Sequence, residues 1–142
     1  MQLLLDLDSE VPIYQQIRDR VVEAIADGTL KPGESLPSTR QCAVDLAINF
    51  HTVNKAYDLL RREGIIRINR KSGAVVHPDV GRPTPELRSG DDWRPRLRVL
   101  LAEAVVRGVP EEEISAYVRS ALDGFALGGG GEEGDEGGEG GG

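Results

Sequence analysis

The sequence predicts a mainly α-helical α+β protein with one small β-hairpin, a helical appendage and an acidic tail. Apolar residues recur at helical spacing over residues 40–46 and 53–60, with only a few residues between the two segments. A pattern of two short strands follows over 65–77, and two more amphipathic segments begin at Trp93 and Pro110. A chain of 142 residues can hold one compact domain, or one small domain with an appendage, which excludes a large enzyme core.

The first helix is predicted from Pro12 to about Asp27, with Gly28 closing it. Before it, Met1–Leu7 is a short apolar lead that we expect to form an edge strand. After it, Gly28–Pro37 reads as a connector because it contains two prolines and two glycines. The inner stripe of the helix is Ile13, Ile17, Val21, Ala24 and Ile25.

The two segments at 40–46 and 53–60 predict a pair of short helices that pack at a steep angle. Ser38 is the expected N-cap of the first helix, and Asn49 that of the second, its side chain accepting from the amide of Thr52. In the second helix the residues expected to face inward are Val53, Ala56, Tyr57 and Leu60. The polar residues left outside are His51, Thr52, Asn54 and Lys55. Small polar donors at the start of a helix suit entry into a DNA major groove.

A β-hairpin, or wing, is predicted after the second helix. Gly64 can take the left-handed position that ends the helix, and strands are expected at 65–69 and 74–77. The turn between the strands carries Lys71, Ser72 and Gly73. A glycine at a wing tip lets the chain approach a nucleic-acid backbone or a minor groove closely.

The run from Pro12 to Val76, PIYQQIRDRVVEAIADGTLKPGESLPSTRQCAVDLAINFHTVNKAYDLLRREGIIRINRKSGAVV, resembles the winged helix-turn-helix domain of GntR-family bacterial transcription regulators. Residues 49–57 and the short C-terminal part are most similar to the YtrA subfamily, whose members carry a small helical dimerisation region. The resemblance implies double-stranded DNA as partner, Arg40 as a DNA contact and a wing that touches DNA through a glycine such as Gly73. We therefore expect DNA contacts at Arg40, Phe50, His51, Thr52, Asn54, Lys55, Lys71, Ser72 and Gly73.

Three positions depart from the family pattern. Ala47 stands in the corner between the helices, where relatives usually have glycine. Phe50 stands where they tend to have proline or a basic residue, and His51 replaces the more common asparagine or threonine. Phe50 either lies beside the groove or folds back as a staple against Val53 or Tyr57. These departures prevent the borrowing of any relative's operator sequence.

Other interpretations of single residues stay open. Arg40 could instead form a surface ion pair with Asp45 or Glu34, and Thr52 could be only a residue of the first helical turn. Cys42 is the single cysteine, so an intramolecular disulfide is excluded, and we expect a structural thiol inside the first helix of the pair.

The overall charge of −7 is concentrated away from the expected DNA surface. Residues 1–79 and 80–127 each carry a net charge of −1, and residues 128–142 carry −5. Within 51–77 six basic residues face two acidic ones. A locally basic surface on an acidic protein is compatible with phosphate binding.

Four regions follow: a DNA-binding domain at 1–79, a linker at 80–92, a helical dimerisation region at 93–127 and a disordered glycine-rich tail at 128–142. Two amphipathic helices cannot bury their own apolar stripes, so we expect a homodimer; the alternative is that they fold back on the first domain. The expected dimerisation residues are Leu97, Leu101, Ala104, Ile114, Val118, Ala121, Leu122 and Phe125.

The sequence thus favours a homodimeric transcription repressor of its own operon that reads a palindromic operator. The YtrA resemblance implies that ABC transporter genes are among its targets. We expect an unidentified small-molecule effector; a constitutive DNA binder without ligand is one alternative, and a protein-interaction module that uses Trp93 and the apolar helices is another. Without a catalytic set, phosphate loop or metal cluster, we expect no enzyme, cofactor or metal. With neither a membrane span nor a signal peptide in the sequence, we expect a cytoplasmic protein.

Overall fold

Three helices and a two-stranded hairpin form the first of two units into which the chain divides, Met1–Arg88 and Ser89–Gly142. The computed structural model describes residues 3–82 and 92–125. Most of the predicted linker and the predicted tail at 128–142 lie outside the described residues. The elements are α1 (Ile13–Ala26), α2 (Thr39–Leu46), α3 (Phe50–Arg62), β1 (Ile66–Asn69), β2 (Gly73–Val76), α4 (Trp93–Val106) and α5 (Glu111–Asp123).

Helix α3 lies at the centre of the first unit, where it contacts α1, α2 and β1. The inward residues predicted for α3 are all buried, as the spacing of three and four requires. The largest fully buried side chains are Ile17, Val21, Val53, Leu60, Ile66 and Val76. This core confirms the predicted winged helix-turn-helix fold, in which α2 and α3 form the pair and β1–β2 the wing.

The helix pair turns at Ala47, which has φ 55° and ψ 47°. Among the described residues it is the one non-glycine with a positive φ. Two hydrogen bonds hold the turn, from the Ala47 amide to Val44 O at 3.2 Å and from the Ile48 amide to Ala43 O at 3.0 Å. The corner therefore has the left-handed geometry that suits glycine, and alanine adopts it at a cost.

The segment at 33–36 is more than the connector that we predicted. It pairs along the free side of β2: Gly33 N donates to Val76 O at 2.9 Å, and Leu36 N donates to Ala74 O at 2.8 Å. Ser35 forms an isolated antiparallel bridge with Val75. Because β1 occupies the other side, β2 has hydrogen-bonded neighbours on both sides.

The predicted edge strand at Met1–Leu7 is wrong for its described residues, since residues 3–6 form no strand. A buried glutamine holds this segment instead. The Gln16 side chain accepts from the Asp6 amide at 2.7 Å and donates to the carbonyls of Asp6 and Val11, both at 2.9 Å. The two bonds with Asp6 satisfy backbone groups that strand pairing would have satisfied.

The second unit consists of α4 and α5. Asp92 caps α4 by accepting from the Arg94 amide at 3.1 Å, and Gly108, with φ 84°, ends the helix. The first turn of α5 carries Glu111, Glu112 and Glu113, where the helix dipole favours negative charge. No residue of α4 or α5 is buried. In the described ranges, no helix has both the length and the apolar character that crossing a membrane requires.

Candidate nucleic-acid interface

The start of α3 presents the polar face that the sequence predicts. His51, Asn54 and Lys55 are exposed and Thr52 is half-buried. Asn49 caps the helix, but its side-chain oxygen accepts from the His51 amide at 2.7 Å, not from the Thr52 amide. The Thr52 amide donates to the backbone carbonyl of Asn49 at 3.0 Å. The predicted cap residue is thus confirmed and its predicted partner is wrong.

The start of α2 lies near this face. Ser38 caps α2 and accepts from the Gln41 amide at 3.0 Å, as predicted. The Asp45 carboxylate accepts from the Gln41 side chain at 2.7 Å. Arg40 instead places its guanidinium carbon 5.2 Å from the centroid of the Phe50 ring. The exposed arginine therefore forms a cation–π contact with an aromatic ring of the second helix of the pair.

Phe50, the first residue of α3, is half-buried and contacts a second candidate as well. Its ring centroid lies 5.6 Å from that of His51, with an angle of 64° between the planes. The structure thus joins three predicted contacts, Arg40, Phe50 and His51, in one cluster.

Lys55 points to a different neighbour. Its ammonium nitrogen lies 4.2 Å from the centroid of the Tyr14 ring of α1. A cation over an aromatic face is attracted by the ring's negative surface. This contact ties the flank of α3 to α1, and the sequence pattern did not indicate it.

The wing presents its tip as an exposed turn. The Lys71 amide donates to the Asn69 side chain at 2.9 Å, and Gly73 has φ 72° with open space where a Cβ would stand. Lys71 and Ser72 are exposed. Ile68 of β1 is 57% exposed, although it lies two residues after buried Ile66 and so on the same face of the strand.

A groove of about 490 Å³ separates α3 from the wing. Its lining residues are Ser38, Thr39, Asn54, Tyr57, Asp58, Arg61, Ile68, Gly73 and Ala74. Two predicted contacts, Asn54 and Gly73, thus face the same space. Arg61, which the prediction missed, is there too; it lies seven residues after Asn54, and this spacing returns to the same face of a helix.

Asp58 organises the basic residues at the end of α3. Its carboxylate accepts from Arg61 at 2.5 Å and from Arg62 at 3.1 Å. The hydrogen bond from Arg61 is the main cause that lowers the pKa of Asp58 below its ordinary value. The acid therefore pairs with two guanidinium groups, and that of Arg61 lines the groove.

The support behind the face is buried. The Tyr57 hydroxyl donates to the carbonyl of Pro37 at 2.8 Å, and burial raises the pKa of Tyr57. Cys42 is buried next to it, and burial raises the pKa of its thiol, as expected of a structural cysteine. At the other end of α3, the Arg18 guanidinium of α1 donates to both carboxylate oxygens of Glu63, each at 2.9 Å.

The predicted dimerisation residues lie on α4 and α5 or directly after α5. Leu97 and Val118 are each 38% exposed and Leu122 is 53% exposed. The others are half-buried: Leu101, Ala104, Ile114, Ala121 and Phe125. Within the described part of the chain, no group of three or more His, Cys, Asp or Glu side chains is placed to hold a metal ion.

A capped helix pair, a polar face on its second helix and a wing across a groove define a winged helix-turn-helix protein of the DNA-binding class. The profile of the family described as "Bacterial regulatory proteins, gntR family" matches residues 13–76. The chain is 33% identical over 115 residues to the HTH-type transcriptional repressor YtrA of Bacillus subtilis, covering 81% of this chain and 88% of that protein. The chain belongs to the GntR family.

Two solved structures have a similar fold, and one of them is a GntR-family protein. YtrA from Sulfolobus acidocaldarius, a GntR-family transcription factor, is 40% identical with a TM-score of 0.56, over 73% of this chain and 97% of that one. A transcriptional antiterminator from Listeria monocytogenes EGD-e is 27% identical with a TM-score of 0.73, over 86% and 93%. The chain is thus a DNA-binding transcription regulator and not an enzyme, which favours the first function predicted over the protein-interaction module.

Proposed function

We propose that the protein is a homodimeric repressor that inserts α3 into the DNA major groove at each half of a palindromic operator. The observation that carries the proposal is the exposed polar face of α3, which borders the same groove as the wing. The word "repressor" in the name of the Bacillus subtilis relative supports the direction of regulation. A two-fold dimer would present two such helices roughly 34 Å apart, about one DNA turn.

Five of the expected contact residues divide by chemistry into two sets. Arg40, Thr52 and Lys71 can bond phosphate oxygens and so set affinity and register. His51 and Asn54 can meet base edges, and an asparagine amide matches the donor and acceptor of adenine. Ser72 and Gly73 form the tip of the wing, which would follow the adjacent backbone or minor groove.

Binding to DNA from the protein's own upstream region tests this assignment. We expect tight binding that weakens steeply with salt, and weaker binding by Arg40→Ala and Lys71→Ala at both of two salt concentrations. Arg20→Ala is the matched control, because Arg20 lies on α1 and pairs with Glu23 at 2.5 Å. If Arg40→Ala and Lys71→Ala bind DNA as tightly as the wild type and the Arg20→Ala control, the assigned surface is wrong.

Dimerisation through α4 and α5 is supported by burial. The apolar side chains of both helices are half-buried or exposed, and a soluble monomer rarely leaves a continuous apolar stripe in water. The simplest way to bury this stripe is to pack it against the same stripe of a second protomer. Leu122→Glu should give a monomer in sedimentation, whereas Val106→Glu, at a side chain 85% exposed outside the predicted stripe, should stay dimeric. Dimers that persist in both variants would contradict the interface.

The proposal extends to the target and the signal. The YtrA resemblance favours autoregulation of an operon that includes ABC transporter genes, and transcript levels after deletion of the gene test this. Because no described residue of α4 or α5 is buried and the depression of about 460 Å³ at the start of α4 is open, we place the effector between two copies. Candidate metabolites added to the protein–DNA complex test the signal: release supports an effector, and retention with all of them supports constitutive binding.

A further inference from the structure

We propose that Phe50 is a positioning residue for DNA recognition, whose ring holds the Arg40 guanidinium across the corner between α2 and α3. This inference rests on the DNA-binding role proposed for Arg40. It concerns a position at which the chain departs from the usual family pattern.

The geometry joins two helices through one ring. Arg40 comes from the second position of α2 and Phe50 from the first position of α3, with the guanidinium carbon 5.2 Å from the ring centroid. This distance lies within the range of roughly 6 Å in which a cation is attracted to an aromatic face. The ring thus orients a side chain that belongs to the other helix.

The contact with the ring leaves the arginine free to bind. A phenylalanine ring has no lone-pair acceptor, so it takes none of the five guanidinium N–H donors in a conventional hydrogen bond, and they stay available for phosphate or base oxygens. A nearby carboxylate that took these donors would compete with DNA, but Asp45 accepts from the Gln41 side chain at 2.7 Å. Phe50 therefore fixes Arg40 without neutralising it.

Fixing the arginine before binding favours the complex. An unrestrained arginine side chain loses much rotamer entropy when it binds DNA, whereas one that is already in contact with the ring loses less. The Phe50 ring also contacts His51, with 5.6 Å between the two ring centroids. One aromatic side chain thus aligns a neighbour on each of the two helices.

A double-mutant cycle separates this role from direct DNA contact by Phe50. The probe is a duplex that the wild-type protein selects from a random-sequence library, and affinity is measured for the wild type, Arg40→Ala, Phe50→Leu and the double variant. We expect Phe50→Leu to weaken binding about 2- to 5-fold, the factor of an exposed cation–π contact. In the Arg40→Ala background the same change should have almost no effect. Phe50→Trp should restore affinity, because tryptophan binds cations best.

Tyr14→Leu is the matched control. It removes the other cation–π pair of this unit, between Tyr14 and Lys55 at 4.2 Å, which does not involve Arg40. Its effect should therefore be the same in both backgrounds. Proton chemical shifts of the Arg40 side chain give a readout without DNA: the ring-current shift seen in the wild type should disappear in Phe50→Leu and persist in Phe50→Trp.

The outcomes distinguish this inference from the proposed function. A wild type that selects no sequence refutes the proposed function itself. Selective binding in which Phe50→Leu weakens both backgrounds by the same factor, or neither, refutes the positioning role alone. Selective binding to which Arg40→Ala makes no difference also refutes it, because the residue that Phe50 positions would then have no part in recognition.

Discussion

Replacement of Ala47 by glycine should stabilise the first unit. Ala47 has φ 55°, and an L-residue in this left-handed region costs about 1–2 kcal/mol. Glycine removes that cost but gives the unfolded chain more freedom, which offsets about 0.4–1 kcal/mol. The Ala47 side chain is exposed, so no buried contact is lost. We expect a net gain of about 1 kcal/mol in the free energy of unfolding.

Urea unfolding of the whole chain measures this change, with amide exchange at buried Val53 and Leu60 reporting on the first unit. The gain corresponds to a rise of about 4–8 °C in the melting temperature of a unit of this size. Gly64→Ala is the matched control, since Gly64 ends α3 with φ 79°. Alanine at this position should lower the free energy of unfolding by a similar amount. A loss of stability in Ala47→Gly beside the expected loss in Gly64→Ala would show that the corner does not adopt the left-handed geometry.

Three further predictions concern the buried support and the charges of the interface. Tyr57→Phe should lower the free energy of unfolding by about 1 kcal/mol, because the carbonyl of Pro37 loses its donor; an unchanged urea midpoint would contradict this. Asp58→Asn should strengthen binding to unrelated DNA and steepen its salt dependence, because the negative charge beside Arg61 disappears; weaker binding in a titration would refute this assignment. Burial raises the pKa of the Cys42 thiol, so the fold disfavours the thiolate. The contribution of this thiol to stability should therefore be complete below about pH 8.5 and decrease above it. Urea unfolding of the wild type and of Cys42→Ala at several pH values measures this contribution as the difference between their free energies of unfolding.

Local signals in the sequence were sufficient for the helices and the wing. The caps at Ser38 and Asn49, the inward spacing in α3 and the glycine at 64 each depend on residues within one or two turns, and the structure has all of them. The partner of Asn49 was predicted wrongly because an asparagine oxygen can reach the amide two or three positions ahead with similar ease. Only the backbone geometry of the turn decides between these amides.

Contacts between distant segments were not predictable in the same way. Three such contacts join residues that no periodicity relates. They are the hydrogen bonds of 33–36 with β2, the hydrogen bonds of Gln16 with Asp6, and the cation–π contact of Arg40 with Phe50. Each depends on where the three helices place their ends. For the interface, residue type and helical face therefore predicted which side chains are exposed. The contacts among these side chains could be found only from the three-dimensional structure.

The pairing of 33–36 with β2 has a mechanical consequence. This segment leads through Leu36 and Pro37 directly to Ser38, the cap of α2. Since Leu36 N is bonded to Ala74 O, a displacement of the wing pulls on the residues that fix the first turn of α2. Wing and α2 must then shift together, so a distortion of bound DNA that moved the wing would also be felt at Arg40.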